Sequence, residues 1–313
     1  MNNIWVDLLP FVYFCIFIIY MQKGIYNRGA ILMLWITAAI WGFAFVAQRA
    51  GMEFIGPFTF NGIRFLLGSA SLLPLLFWMK YKHKAPAAKS VSIIKGGMLA
   101  GIVLFIGASL QQAGMVYTDA GKAGFITGFY VILVPLIGIF IGQHITKLLW
   151  AGALIALAGL YLLTINGPFV LQKGDLLILL SAFFWAIHVQ LINKLVDTHA
   201  ALPLSAFQFA VCGILSLFTG FVFETITLNS ILLAVWPLLY GGLMSVGIAY
   251  TMQVVAQQHV HPAYASIILS FETVFAVVGG WLLLNELLSL RNLAGCMLML
   301  AGIVIVQVWG NKR

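Results

Sequence analysis

Long apolar runs separated by short polar stretches dominate the pattern of this sequence. Ten runs are long enough to cross the ~30 Å hydrocarbon core of a bilayer as helices that rise ~1.5 Å per residue. They cover residues 30–49, 57–79, 95–117, 120–142, 147–166, 174–195, 204–223, 229–257, 262–284 and 290–309. The run 229–257 is too long for one span, so its helix is predicted to start at Trp236–Pro237. The pattern therefore predicts an all-α polytopic membrane protein with ten transmembrane helices.

A shorter apolar stretch, residues 4–21, precedes these ten runs. It contains Asp7 and Pro10, and its apolar part, from Leu8 to Met21, spans only about fourteen residues. No basic residue precedes it, so it lacks the start of a secretory signal. It could be an extra span, an interfacial helix or sequence upstream of a true start at Met21. We interpret residues 1–29 as a hydrophobic appendage with a basic lead-in.

Composition agrees with a membrane protein. The chain is 63% apolar and 8% charged, whereas a soluble domain carries about 25% charged residues. The net charge of +8 does not indicate nucleic acid, because the basic residues lie in the short loops. Cys15, Cys212 and Cys296 lie inside apolar runs without metal-ligand spacing, so neither disulfides nor a metal is predicted. No glycine-rich phosphate loop is present, and no cofactor is predicted.

The basic residues also predict the orientation. Of the 16 lysines and arginines, eleven lie on one side of the membrane when loops are counted alternately, four lie on the other, and Arg64 lies within a span. The richer side is expected to be cytoplasmic, and the loop from Lys80 to Lys95 contributes most to it. The prediction is a multi-pass protein of the bacterial inner membrane with its C-terminus in the cytoplasm.

The chain resembles itself at an offset of about 143 residues. AAIWGFAF resembles SAFFWAIH, and LLWAGALIALAGLYLL resembles LRNLAGCMLMLAGIVIV. The equivalent pairs are Trp41 with Trp185, Gly152 with Gly295 and Gly159 with Gly302. Residues 30–168 and 169–313 are therefore predicted to be two five-helix repeats. An odd number of spans inverts the second repeat, and inverted repeats around a midplane site are typical of secondary transporters.

Glu272 is placed near the middle of the predicted helix 262–286, which opens at Pro262. A carboxylate at that depth is costly and normally faces a partner or a water-filled cavity. It could couple transport to protons, contact a cation, or hydrogen-bond neighbouring helices. Both protonation states remain open, because burial and a neighbouring cation act in opposite directions.

Arg64 lies about seven residues inside the second run, on one helical face with Asn61, Gly68 and Ser71. Its guanidinium could hold an anionic substrate group. The structural alternative, in which it extends to the nearer interface or pairs with a carbonyl or carboxylate, is favoured. In the fourth run, Pro135 should kink the helix or free a carbonyl.

Polar stripes on several runs should face the bundle interior, where they either bond helix to helix or line a cavity. His188, one turn after Trp185, could shuttle a proton, although a single histidine without a carboxylate partner is more often structural. The candidates for a substrate cavity are Trp41, Gln48, Arg64, Gln111, Thr127, Tyr130, Trp185, His188, Tyr250, Gln253 and Glu272, with Glu272 the candidate for proton coupling.

Several stretches are similar to the drug/metabolite transporter superfamily, specifically to ten-span carriers with two EamA-type repeats. They include WGFAFVAQRAGMEFIGPFTFNGIRFLLG, YTDAGKAGFITGFYVILVPLIGIFIG and FETVFAVVGGWLLLNE, and the similarity covers about residues 30–309. The family often has proline where this chain has Thr273, and Gly–Glu where it has Asn285–Glu286. The resemblance implies movement of a small metabolite, often an amino acid or a related compound, frequently outward.

The function predicted is secondary transport by alternating access, with a small-molecule substrate, possible proton coupling and a monomeric or homodimeric state. A zwitterionic or weakly charged substrate could be balanced between Arg64 and Glu272. Four-span multidrug exporters of the superfamily that the chain resembles typically use a carboxylate in their first span, and residues 30–49 have none, which disfavours cationic-drug antiport by that mechanism. Residues 204–284 have no Lys or Arg, which disfavours a nucleotide sugar or phosphate. An integral-membrane enzyme is disfavoured because no hydrolytic motif is found; a receptor or scaffold remains the other alternative.

Overall fold

The structure is a computed structural model that describes residues 27–81, 90–118, 120–165, 172–284 and 289–309. The N-terminal appendage up to residue 26, most of the loop between Lys80 and Lys95, and the pair Asn285–Glu286 lie outside the described residues.

Ten apolar spans make up the described chain, which confirms the all-α, ten-span prediction. In the first half, span 1 is Arg28–Met52, span 2 Pro57–Tyr81, span 3 Ser90–Gly114, span 4 Ala120–Gly128 with Tyr130–Phe140, and span 5 Lys147–Thr164. In the second half, span 6 is Lys173–Val196, span 7 Ala201–Phe223, span 8 Val235–Ala256, span 9 Pro262–Leu269 with Glu272–Leu284, and span 10 Leu290–Trp309. By length and composition, eight of the spans can cross a membrane, and spans 5 and 10 are shorter apolar helices.

Side chains placed at helix starts explain where several spans begin. The side chain of Asn27 accepts from the N–H of Gly29 (2.9 Å), and Thr146 does the same for Leu149 at span 5 (3.3 Å). Span 2 is capped by the residue that follows span 7, because the carboxylate of Glu224 accepts from the N–H groups of Phe58 and Thr59, both at 2.8 Å. These bonds satisfy N–H groups that have no partner inside their helix.

Span 8 differs from a regular α-helix. The predicted run 229–257 divides into a short helix, Leu228–Leu233, and the span itself, which starts at Val235. Its central part, Tyr240–Tyr250, is a π-helix. Such wide turns are rare and occur frequently at functional sites.

Spans 5 and 10 cross with glycine against glycine. A Cβ added to Gly302 would lie 2.6 Å from the carbonyl oxygen of Gly152, and one added to Gly295 would lie 2.6 Å from the carbonyl oxygen of Gly159. The internal repeat relates Gly152 to Gly295 and Gly159 to Gly302. Gly152 therefore contacts Gly302, the equivalent of Gly159, and Gly159 contacts Gly295, the equivalent of Gly152. This reciprocal pattern is expected when a two-fold axis relates two inverted repeats.

The other helix contacts obey the same pseudo-symmetry. Spans 1 and 9 pack together as spans 6 and 4 do, and spans 2 and 8 pack as spans 7 and 3 do. Spans 2 and 7 pair with each other, as spans 5 and 10 do. The fold is thus two inverted five-helix repeats, while the boundaries predicted for them, 30–168 and 169–313, stay a prediction.

Replacing Gly302 by leucine should destabilise the protein, because the new side chain meets the backbone of span 5. Overpacking of this kind costs about 1–3 kcal/mol in free energy of unfolding. Thermal unfolding of purified protein in detergent measures the effect. The matched control is Ala301→Leu, on the exposed face of the same helix. Equal unfolding temperatures for the two variants would contradict the glycine crossing.

Candidate functional site

A small cavity lies between the two repeats and is lined by side chains from spans 1, 2, 3, 4, 6, 8 and 9. Its volume is about 50 Å³, which is room for a few water molecules at about 10–15 Å³ each. The lining residues are Trp41, Ala44, Phe45, Gln48, Arg64, Gln111, Thr127, Tyr130, Trp185, Val189, Ser245, Tyr250, Gln253, Leu269 and Glu272. Ten of the eleven residues predicted from the sequence are therefore brought together, and His188 is the exception. Their role as a substrate site stays a prediction.

Glu272 does not lie in the middle of a continuous helix. Span 9 is interrupted at Ser270 and Phe271, and Glu272 is the first residue of the second half-helix. The prediction of one helix over 262–286 was wrong in this respect. The carboxylate lies in the first helical turn, where the helix dipole favours negative charge.

The serine hydroxyls explain the interruption. The hydroxyl of Ser270 donates to the carbonyl oxygen of Ile267 (2.8 Å), and the N–H of Phe271 then bonds to Ile268 instead (3.1 Å). One turn earlier, Ser266 donates to Ala263 in the same way (2.8 Å). Hydroxyls that bond back to the helix bend it and compete with its regular hydrogen bonds. The same bond at Ser266 leaves the half-helix Pro262–Leu269 unbroken, so the two serines by themselves do not predict the break from the sequence.

Span 4 is interrupted at Phe129, about one repeat length before the break in span 9. The break comes six residues before Pro135, which lies inside the second half-helix. The interruption is separate from Pro135, and the kink or free carbonyl predicted at that proline stays a prediction. Thr127 and Tyr130 flank this interruption and line the cavity. Gln111 on span 3 donates to the hydroxyl of Thr127 (3.0 Å).

Arg64 is held inside the protein and does not extend to the interface. Its Nε donates to the side-chain oxygen of Asn61 (2.9 Å), and Asn61 donates in turn to the carbonyl oxygen of Ala108 on span 3 (3.1 Å). The guanidinium carbon lies 4.9 Å from the ring centroid of Phe65, within the range of a cation–π interaction. The side chain is 2% exposed, so the snorkelling alternative was wrong.

The two charges of the cavity are not paired with each other. Within the described part of the chain, neither Arg64 nor Glu272 takes part in an ion pair, and the carboxylate of Glu272 has no hydrogen-bond partner. A buried charge without a counter-ion is costly. The arrangement therefore leaves the guanidinium of Arg64 and the carboxyl group of Glu272 available to water or to a ligand.

Aromatic rings form one wall of the cavity. The ring of Tyr250 lies 4.5 Å from that of Trp41 and 6.0 Å from that of Trp185, measured between centroids. The indole N–H of Trp41 donates to the carbonyl oxygen of Ser245 in the π-helix (3.2 Å). Trp41 belongs to the first repeat and Trp185 is its equivalent in the second, so both repeats contribute to this wall.

Several polar atoms of the lining have no partner. Among the described residues, these are the indole nitrogen of Trp185, the hydroxyl of Tyr130 and the side-chain oxygens of Gln48 and Gln253. Most buried polar groups in proteins are hydrogen-bonded to protein or water. Other buried polar atoms without a partner lie elsewhere in the described chain, and these four are the ones that a water or a ligand in the cavity could reach.

His188 lies outside the cavity lining. Its Nε2 is 2.9 Å from the side-chain oxygen of Gln208 on span 7, and its ring is 6.2 Å from that of Trp185. The proton-shuttle role stays a prediction, and the described contacts are those of a helix-to-helix hydrogen bond. Gln208 was not recognised from the sequence, and neither was Ser245.

At one end of the bundle, a wider vestibule approaches the cavity. It holds about 510 Å³ and is lined by the ends of spans 1 and 3 and the start of span 6. Met52 in its wall is one helical turn from Gln48, and Met115 is one turn from Gln111. Only short helical segments therefore separate the vestibule from the cavity.

An ion pair stands beside this vestibule. The carboxylate of Asp175, at the start of span 6, accepts from Lys122 of span 4 and from the hydroxyl of Thr118 (2.9 Å). It also accepts from the N–H of Gln172 (2.6 Å). The cluster ties the starts of spans 4 and 6 together at this end.

A set of four glutamines, the glutamine cluster, lies at the opposite end. Gln143 and Gln190 donate to each other's oxygens at 2.8 and 3.1 Å, and Gln190 also donates to the carbonyl oxygen of Val134 (2.7 Å). Gln257 donates to the carbonyl oxygen of Val189 (2.9 Å) and accepts from Gln253 (3.2 Å).

The glutamine cluster joins the end of span 4, span 6 and span 8. Along span 6, Gln190 lies about 27 Å from Gln172 at the vestibule. The cavity residues Trp185 and Val189 lie between these two positions. The cavity therefore lies between the vestibule at one end and the hydrogen-bonded glutamine cluster at the other.

Comparison with known proteins places the chain among transporters. The sequence model of the EamA-like transporter family matches residues 28–165 and again residues 172–308. An uncharacterized transporter of Archaeoglobus fulgidus is 28% identical over 288 residues, 91% of this chain and 88% of that protein. The uncharacterized transporter YoaV of Bacillus subtilis is 28% identical over 88% of this chain and 95% of its own length. A solved crystal structure matches with a TM-score of 0.73 at 18% identity, covering 90% of this chain and 97% of that one, which supports the fold.

Replacing Gln190 by leucine should loosen the closed end, because hydrogen bonds to Gln143 and Val134 are lost at about 1 kcal/mol each. A cysteine introduced at Val189, in a variant without the native cysteines, should react with a maleimide about tenfold faster. The matched control is Gln258→Leu, which removes an exposed glutamine nearby. Equal labelling rates in the two variants would show that the glutamine cluster does not hold this end closed.

Proposed function

The chain belongs to the EamA-like transporter family, and we propose that it exports a small zwitterionic or weakly charged metabolite, such as an amino acid or a related compound. Its relatives are transporters, so a membrane transporter is the coarse description. The observation that carries the finer proposal is the pair of unpaired charges, Arg64 and Glu272, in one cavity between the repeats.

A zwitterion matches this cavity better than other small molecules do. Its anionic group would pair with the guanidinium of Arg64, and its cationic group with the carboxylate of Glu272 or the free oxygens of Gln48 and Gln253. Arg64 is the one cation among the lining residues, so a polyphosphate would lack the several basic groups it needs.

Alternating access is the proposed mechanism. A cavity of about 50 Å³ is too small for an amino acid, so the half-helices of spans 4 and 9 would move as the substrate enters. In the arrangement described, the vestibule is wide and the glutamine cluster is bonded. In the second state, the side-chain amides of Gln190 and Gln257 would lose these hydrogen bonds, and the vestibule would become narrower.

Glu272 is proposed to couple this movement to protons. It carries the carboxylate of the cavity and lies where one half-helix begins. Binding a proton in one state and releasing it in the other would link the proton gradient to the exchange of states. The distribution of basic residues supports an orientation with the glutamine cluster on the cytoplasmic side of a bacterial inner membrane and the vestibule outside.

Ligand binding can be found by a thermal-shift screen of purified protein against a metabolite library. A ligand present at a hundred times its Kd stabilises the folded state by ~2.7 kcal/mol. With Arg64→Met, the identified metabolite should bind about 10- to 100-fold more weakly, because a hydrogen bond to a charged group contributes about 1.5–3 kcal/mol. A folded Arg64→Met protein with unchanged affinity would remove Arg64 from the site.

Glu272→Gln should abolish uptake driven by a proton gradient in proteoliposomes and retain substrate exchange without a gradient. Glutamine keeps the size of the side chain and cannot exchange a proton. Glu53→Gln, which changes a carboxylate of the vestibule, serves as the control and should leave both activities intact. Proton-driven transport that persists in Glu272→Gln would refute the coupling role.

A further inference from the structure

An apolar groove of about 520 Å³ lies on the outside of spans 4 and 5, away from the central cavity. It is lined by Phe125, Phe129, Leu154, Leu157, Ala158, Tyr161 and Leu162. Leu154 is 55% exposed and Tyr161 is 42% exposed, so the groove opens outward. Because these residues lie within membrane spans, the groove faces the hydrocarbon of the bilayer.

The walls of the groove are built from aromatic rings around a small floor. The ring of Phe125 lies 5.3 Å from that of Phe129 and 5.8 Å from that of Tyr161, between centroids. Ala158 lies on span 5 between the larger side chains of Leu154 and Tyr161, one turn or less from each. The result is an elongated apolar surface of the kind that an acyl chain fills.

A cation is fixed at the rim of this groove. Arg291, at the start of span 10, donates from Nε to the carbonyl oxygen of Leu162 (3.3 Å). Its guanidinium carbon is 5.7 Å from the ring centroid of Tyr161. Both partners belong to the groove, so the charge is held at its edge and not left free in solution.

The terminal nitrogens of Arg291 remain available. The side chain is exposed, and within the described ranges it makes no ion pair. A guanidinium presents a planar set of donors that matches the oxygens of a phosphate. An apolar groove at membrane depth that ends at such a cation is complementary to one class of molecule in the bilayer, a phospholipid with an anionic headgroup.

We propose that the groove on spans 4 and 5 binds one anionic phospholipid, with an acyl chain along the apolar walls and the headgroup phosphate on Arg291. Phe129 gives the site a link to the transport core, because it is the residue at which span 4 is interrupted. Thr127 and Tyr130, on either side of it, line the central cavity. An acyl chain packed against Phe129 would support this interruption from the lipid side.

Native mass spectrometry of the full-length protein, delipidated and titrated with phosphatidylglycerol or phosphatidylcholine, tests the proposal. One phosphatidylglycerol should bind at least about fivefold more tightly than phosphatidylcholine, the contribution of one basic residue at a lipid surface. Arg291→Gln should lose this preference, and Arg291→Lys should retain most of it. Ala158→Phe, which fills the floor of the groove from an exposed position, should reduce the binding of both lipids.

The matched control is Lys173→Gln, which removes an exposed cation at the start of span 6, away from the groove. This variant should bind both lipids as the parent protein does. Equal affinity for the two lipids in the parent, or a preference that survives in Arg291→Gln, would overturn the headgroup assignment. Unchanged binding in Ala158→Phe would overturn the groove. Stabilisation by glycerol phosphate equal to that by the intact lipid, measured by thermal unfolding, would show that a soluble phosphate and not a lipid occupies the rim.

Discussion

A guanidinium and a carboxyl group enclosed by membrane helices impose the main constraint on this structure. A guanidinium and a carboxylate cannot face hydrocarbon at that depth without a large cost in free energy. Arg64 is accordingly buried against Asn61 and two aromatic rings, and Glu272 lies at the start of a half-helix. The spans around these two residues must therefore form a closed ring with polar groups on the inside.

The inverted repeat supplies such a ring. Equivalent helices pack in equivalent ways, and the crossing of spans 5 and 10 brings the backbones into contact at paired glycines. The chemistry inside is less symmetrical than the frame. Trp41 and Trp185 are equivalent, but the cation lies in the first repeat and the anion in the second. The symmetry produces a central cavity, and the departures from symmetry put an arginine of the first repeat and a glutamate of the second repeat into its lining.

Much of this arrangement could be predicted from the residues. Apolar run lengths give the ten spans, and the offset of about 143 residues gives the inverted repeat. The polar stripes with Trp41, Gln111 and Tyr250 identify faces that do meet in one cavity. These signals are reliable because a bilayer tolerates few ways of burying polar groups.

Other features depend on contacts that a single sequence does not encode. The break in span 9 follows from the hydroxyl of Ser270 displacing a backbone hydrogen bond, and the apolar pattern on both sides reads as one helix. The pairing of Gln190 with Gln143 joins residues 47 positions apart. His188 belongs to the same helical turn as cavity residues, yet it points to Gln208 on span 7. In the last two cases the partner was decided by the packing of helices.

The central claim is that the cavity between the repeats, which is lined by Arg64 and Glu272, holds the transported molecule. The most direct test is an experimental structure of the protein with its transported metabolite bound. The account predicts density between the guanidinium of Arg64 and the carboxylate of Glu272, against the rings of Trp41 and Tyr250, in a cavity widened by movement of the half-helices. A metabolite bound in the vestibule or at the lipid face, with the central cavity unchanged, would contradict it.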